Sequence, residues 1–290
     1  MKYHIRHVTH YRYADAVTNS QHDMHLLPRE LPHQHCLSAT LTIEPTPIVC
    51  QERTDYFGNR ATHVVLATAH AELVATAQSR VEVTPALAPS IDNDLDWETS
   101  VAETMRRRED LHAQEMSFPS PFIIPWPALR EYALVSFPAG QPLLKGCVHL
   151  MGRIHSDLKY DPQATTIATP LVEVFEKRRG VCQDFAHLMI ACLRSLGLSA
   201  RYVSGYLVTT PPPGQARLLG ADASHAWLSV LSQRFGFVDL DPTNNVMPAD
   251  AHITLAMGRD FGDVTPLRGV ILGGARHKLH VGVDVVPEDA

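Results

Sequence analysis

The chain reads as an α+β protein in two parts: a small antiparallel β-sandwich, then a core of helices followed by strands. Three features predict this. Apolar residues recur at every second position up to about residue 84, the repeat becomes helical from Pro127, and alternating segments return after Gly197. In the first part Leu37, Ala39, Leu41 and Ile43 alternate with Ser38, Thr40 and Thr42, the pattern of a half-buried strand. Further strands are predicted at 3–13, 63–69 and 73–83, with a turn at Phe57, Gly58, Asn59 and Arg60. Several short strands separated by turns suit a sandwich. A linker bearing Pro85 and Pro89 follows, then a helix near 97–107. The expected parts are 1–84, a linker with a helix over 85–125, and a core over 126–290 that includes a C-terminal strand.

Helical spacing predicts core helices at 127–137, 142–158, 171–178 and 182–196. Pro127 and Pro142 suit first turns, and Gly197 suits the end of the last helix. Strands are expected at 200–208, 226–231 and 235–240, with a proline-rich loop at 211–214 between the first two. The tail at 277–286 alternates again and can extend either sheet.

At 290 residues the chain is long enough for two domains, each with its own core. A net charge of -6 argues against a nucleic-acid partner, and the run Arg106, Arg107, Arg108 is followed at once by Glu109 and Asp110, as on a solvated helix face. The N-terminus interleaves His, Arg and Tyr where a signal peptide needs an apolar run, and no stretch approaches the roughly 20 apolar residues of a membrane helix. A cytoplasmic location and no membrane partner are the expectation. Five scattered cysteines are an odd number without a disulfide pattern, so reduced thiols are expected. Histidines cluster at His4, His7 and His10 and at His22 and His25. Strand alternation sends His4 and His7 to opposite faces, so no metal site is assigned. Asp92, Asp94, Asp96 and Glu103 match calcium-loop spacing, but Trp97 stands where that loop needs Gly. They are read as linker and helix-cap residues. Strand edges left uncovered in the first part leave a homodimer open.

The chemistry concentrates in three places. Gly180 and Val181 lead into a helix whose first residue is Cys182, so the thiol faces unpaired backbone N–H groups and the positive end of the helix dipole, which favour thiolate. Cys192, by contrast, sits mid-helix among leucines and reads as packing. His187 lies five residues on, about 140° around the helix, and points away from the thiol. His225 opens a strand and is the better base. Asp241 ends the next strand, where its carboxylate can accept the second imidazole N–H. Asp239 is the competing carboxylate, two residues earlier on the same strand face.

These segments resemble a known family. Gly180 to His187, the run 200–206, Ser224-His225-Ala226-Trp227 and Asp241-Pro242-Thr243-Asn244 are similar to the bacterial transglutaminase-like proteins. His7 to Tyr13, Leu27-Pro28-Arg29 and Asp55 to Asn59 are similar to the β-rich domain that precedes the core in those proteins. The resemblance implies a papain-like, transglutaminase-like cysteine-enzyme core with a catalytic triad at Cys182, His225 and Asp241. It leaves open transglutaminase, peptidase and amidase activities.

The expected chemistry is attack of the Cys182 thiolate on a peptide or protein amide, giving a thioester that water or an amine resolves, with no cofactor. The oxyanion would be held by the Cys182 N–H and a second donor, Gln183 or Tyr160. The alternatives are an arylamine-type acyltransferase with the same triad and a catalytically idle binding protein.

Overall fold

The computed structural model describes residues 1–85, 87–107, 109–208 and 224–288. Strand β1 (Lys2–Met24) runs through the whole N-terminal sheet. Four more strands follow: β2 (Gln34–Glu44), β3 (Val49–Thr54), β4 (Arg60–Leu66) and β5 (His70–Val83). The sheet order is β2-β5-β1-β4-β3, all antiparallel. On one flank β1 pairs with β5 over residues 2–12 and with β4 over 20–24. The register shifts between Arg12 and Val17. Its other flank is filled from the far end of the chain.

The track therefore bends sharply near residues 13–17, and the two halves of the sheet face each other. Tyr13, Val17 and Met24 share a buried cluster with Ile43, Val64, Leu66, Leu73 and Ala75, and among the described residues no helix enters it. This is the sandwich, made from one bent sheet. Burying apolar side chains between its own layers is what holds the bend.

Next along the chain come α1 (Trp97–Arg106), α2 (Leu111–Glu115), α3 (Pro127–Leu134), α4 (Leu143–Asp157) and α5 (Leu171–Lys177). On either side of α5 in the chain, two-residue strands β6 (Lys159–Tyr160) and β7 (Arg179–Gly180) pair in parallel. Helix α6 (Cys182–Ser195) is buried on nearly every side, because α3, α4 and α5 cover one flank and a second sheet the other. That sheet contains β8 (Ala200–Leu207), β9 (Ser224–Ser232), β10 (Gly236–Leu240) and β11 (His252–Gly258), in the order β10-β9-β8-β11. Finally β12 (Leu267–Gly273) and β13 (His277–Pro287) run end to end antiparallel to β1, so the tail joins the N-terminal sheet rather than the core sheet. Gly273, with φ +94°, stands at the break. A Cβ there would meet the Ala16 carbonyl at 2.6 Å.

Beyond the expected elements the structure contains β3, β11, β12, α2 and a longer β1. The short acidic segment also resolves into separate duties. Asp96 caps α1 by accepting from Thr99 N–H at 2.8 Å, Asp92 pairs with Lys145, and Asp94 accepts from Ser232. The proline-rich loop at 211–214 and Arg108 lie outside the described residues. Among the described residues no helix is long and apolar enough to cross a membrane.

Two side-chain amides join the parts. β11 is an edge strand with outward-facing backbone groups. Gln34 accepts from Thr254 N–H at 2.7 Å and donates to the Thr254 carbonyl at 2.8 Å. Asn59 makes the same pair of bonds to Met257, both at 2.8 Å. The amides stand in for a neighbouring strand. Tyr3, Ile5, Val81 and Val83 of the N-terminal sheet also enter the main core. Replacing buried Gln34 by Leu should therefore leave both Thr254 backbone groups unpaired and cost on the order of 1–3 kcal/mol. Hydrogen exchange should show faster exchange in β11 with β9 unchanged. Equal protection of β11 in both proteins would contradict this role.

Candidate active site

The local chain path to Cys182 is set by a glycine and a carboxylate. Asp184, third residue of α6, accepts from Val181 N–H at 2.8 Å and from the Thr165 hydroxyl at 2.6 Å, closing the helix start. A Cβ on Gly180 would lie 2.6 Å from that carboxylate oxygen, so only glycine lets the cap close. Cys182 is thereby held at the first turn of α6, half-buried, ahead of a helix that cannot shift within its packed core.

His225 opens β9 and Asp241 follows β10, as the sequence indicated. His225 feels the Cys182 thiol electrostatically, and its Nε2 lies 2.7 Å from Asp241 Oδ2. Burial works against a charged imidazole, but the bonds and charges of Asp241 and Cys182 outweigh it and raise His225 to about 9. Burial likewise opposes the Asp241 carboxylate. The donors His225, His252 and Asn244 overcome that and hold it well below the usual carboxylate range.

Asp239 faces elsewhere. It accepts from Trp227 Nε1 at 3.1 Å and from the Ser229 hydroxyl. Trp227 is fully buried and stacks on His225, with ring centroids 6.0 Å apart, so Asp239 braces the wall of the site while Asp241 meets the imidazole. His187 is buried against Phe122 and Tyr202, accepts from Phe261 N–H at 3.1 Å, and is lowered to about 3 by burial and then by Arg194. Gln183 is half-buried beside Cys182. Tyr160 is exposed, pairs through its backbone with Gly180, and has its phenol raised by burial and by the neighbouring thiol. Cys192 is fully buried and pushed up to about 12 by burial.

Two residues of the site had no role in the sequence reading. Asn244 donates through Nδ2 to Asp241 Oδ2 at 2.7 Å, and His252 Nε2 lies 3.1 Å from the same oxygen. Asn244 was visible as the end of Asp-Pro-Thr-Asn, a turn in which Asp241 Oδ1 accepts from Thr243 and Asn244 N–H. His252 had no local signal, because every residue of β11 is buried and no alternation marks it. The donor atoms of His225, Asp241 and His252 lie within 4.8 Å of one another, a composition that suits a metal. The 2.7 and 3.1 Å separations are hydrogen bonds, and a cation at Oδ2 would have to displace both. The histidine sets of the first strand disperse: His7 bonds Tyr206 and Thr9, and His10 bonds Glu72.

A thiol at a buried helix start, an imidazole on the adjoining sheet and a carboxylate behind it place the molecule in the transglutaminase-like, papain-like class of cysteine enzymes. Comparison with known proteins agrees. Residues 3–82 match the bacterial transglutaminase-like N-terminal region and residues 138–242 match the transglutaminase-like superfamily core. An uncharacterized protein of Mycobacterium tuberculosis is 40% identical over 302 residues, covering 99% of this chain and 93% of its own. One from Mycobacterium leprae is 31% identical, covering 97% of each. The crystal structure of a candidate cysteine protease from Cytophaga hutchinsonii superimposes with a TM-score of 0.78 at 19% identity, over 100% of this chain and 91% of that one. A protein-glutamine gamma-glutamyltransferase of Pseudomonas aeruginosa is 29% identical over 107 residues, 34% of this chain and 16% of its own. The chain belongs to the transglutaminase-like superfamily and carries the bacterial transglutaminase-like N-terminal region.

The coupled charges have a pH signature. The raised His225 contributes stability that is complete below about 6.5 and lost as pH climbs through about 9. The lowered Asp241 contributes stability present above 3.8 and lost as pH falls. Melting temperature should therefore decline between pH 6.5 and 9, and Asp241→Asn should lose that part of the decline. A wild-type curve flat across that range would be the contrary result.

Proposed function

We propose that this protein is a cysteine-dependent acyl-transfer enzyme acting on amide bonds of peptides or proteins. The observation that carries it is the hydrogen bond from His225 to buried Asp241, with the Cys182 thiol near enough to raise the same imidazole. The Cys182 thiolate attacks the amide carbonyl, and Asp241 keeps His225 oriented and charged. As the C–N bond breaks, the imidazolium gives its proton to the leaving amine, and the acyl group remains on sulfur as a thioester. Neutral His225 then takes a proton from water or from an acceptor amine, which attacks the thioester and frees the thiolate. Water makes the protein a peptidase or amidase; an amine makes it a transglutaminase.

The oxyanion formed in each step is assigned to the Cys182 N–H and a second donor. Tyr160 is the better supported, since its backbone pairs with Gly180, two residues before the thiol, with Gln183 as the alternative. A cytoplasmic location is part of this reading, on the odd number and scattered spacing of the five cysteines in the sequence.

The direct test is activity profiling against peptide amides and Gln-donor peptides with and without amine acceptors, read by mass spectrometry. A thioester on Cys182 should be trapped. Cys182→Ala should abolish turnover with little change in stability, whereas Cys192→Ala should keep turnover and lose roughly 1–2 kcal/mol from the core. Turnover surviving in Cys182→Ala would overturn the nucleophile assignment, and an inert thiol indifferent to His225→Ala would favour a binding protein instead.

Asp241→Asn should cost about 10³-fold or more in rate by presenting the wrong tautomer to His225. Asp239→Asn disturbs Trp227 and Ser229 behind the site, not the imidazole bond, and should cost far less. Steady-state kinetics of the two variants decide the assignment, and the reverse order would overturn it.

A further inference from the structure

The acceptor atom behind His225 is shared. Asp241 Oδ2 receives His225 Nε2 at 2.7 Å, Asn244 Nδ2 at 2.7 Å and His252 Nε2 at 3.1 Å, while Oδ1 takes the backbone N–H groups of Thr243 and Asn244. One carboxylate oxygen with three N–H donors has its lone pairs saturated. Each donor draws on the same negative charge, so a bond given to one weakens the hold on the others.

His252 must carry a proton on Nε2 to make its bond. Its Nδ1 is buried with no hydrogen-bond partner among the described residues. The geometry therefore fixes Nε2 as the atom through which the ring donates. It is also held in place. Trp227 packs edge-on against it at 5.2 Å, and β11 is pinned by the amides of Gln34 and Asn59.

We propose that His252 is a positioning residue that tempers the site. Its Nε2–H takes part of the charge of Asp241 and so limits how firmly that carboxylate holds His225 in the protonated form. This rests on the reading of Cys182, His225 and Asp241 given above. The need is chemical: an imidazolium held too tightly is a poor acid toward a leaving amine. Among the described residues, the groups facing His225 are Cys182 from α6, Asp241 and Asn244 from the turn after β10, Trp227 from β9 and His252 from β11.

His252→Phe keeps a ring against Trp227 and removes the donor. His252→Gln restores an N–H near the Nε2 position. The readouts are the alkylation rate of Cys182 by iodoacetamide against pH and the alkaline limb of turnover. In His252→Phe the freed carboxylate should stabilise the thiolate–imidazolium pair. The alkylation limb should then move to lower pH and the alkaline limb to higher pH, each by roughly half to one unit for one lost charge-assisted bond. His252→Gln should lie near the wild type. Superimposable wild-type and Phe profiles overturn the proposal, as does a Gln variant shifted as far as the Phe variant. If His225→Ala also leaves the alkylation profile unchanged, the underlying assignment fails rather than this one.

A measurement on the unaltered protein covers the case in which His252→Phe does not fold. Nitrogen-15 spectra at neutral pH should show a proton on His252 Nε2. A bare Nε2, with the ring proton on Nδ1, would rule the proposal out.

Discussion

A carboxylate with no exposure to water must be surrounded by donors or lose its charge. Among the described residues, Asp241 keeps it through five hydrogen bonds drawn from β9, β11 and its own turn. That demand organises the region. The Asp-Pro-Thr-Asn turn has to close on its own first residue, β9 has to begin with the imidazole, and β11 has to lie close enough to add a second ring. The thiol requires a separate solution at the start of α6, where Asp184 and Gly180 shape the entry. The two solutions meet because α6 packs directly on β9.

The N-terminal sheet supplies none of these groups and still bears on them. Gln34 and Asn59 terminate β11, the strand that carries His252, and the apolar ends of β1 and β5 are part of the same core as α6. The tail reinforces this dependence. β12 and β13 extend the sheet along β1, and Val283 and Val285 enter the core, so residues from the two ends of the chain pack together there. The precision of the site is therefore partly a property of residues over two hundred positions away in sequence.

Where the chain advertised its structure, a one-sided environment or an end signal was the reason. β5 alternates because one face is more buried than the other, α4 shows helical spacing after Pro142, and α6, buried on nearly every side, is marked by its ends at Gly180 and Gly197. β11 and β3 lacked that signal for opposite reasons. The first is buried on both faces and the second exposed throughout, so neither alternates. The long course of β1 past residue 13 was hidden by the bulge at the bend, which breaks the period.

The sequence alone determined the fold class, the helix bearing Cys182 and the order of thiol, imidazole and carboxylate along the chain. Those follow from short-range rules: helix caps, strand period, and which residue types carry nucleophilic chemistry. Tertiary structure decided what depends on distance between strands. It separated Asp241 from Asp239, sending one to the imidazole and the other to Trp227. It assigned the tail to the first sheet, and it brought His252, eleven residues beyond Asp241, onto the same oxygen. Register and the crossing of strands place those groups, and neither is written in a local pattern when a strand is buried on both sides.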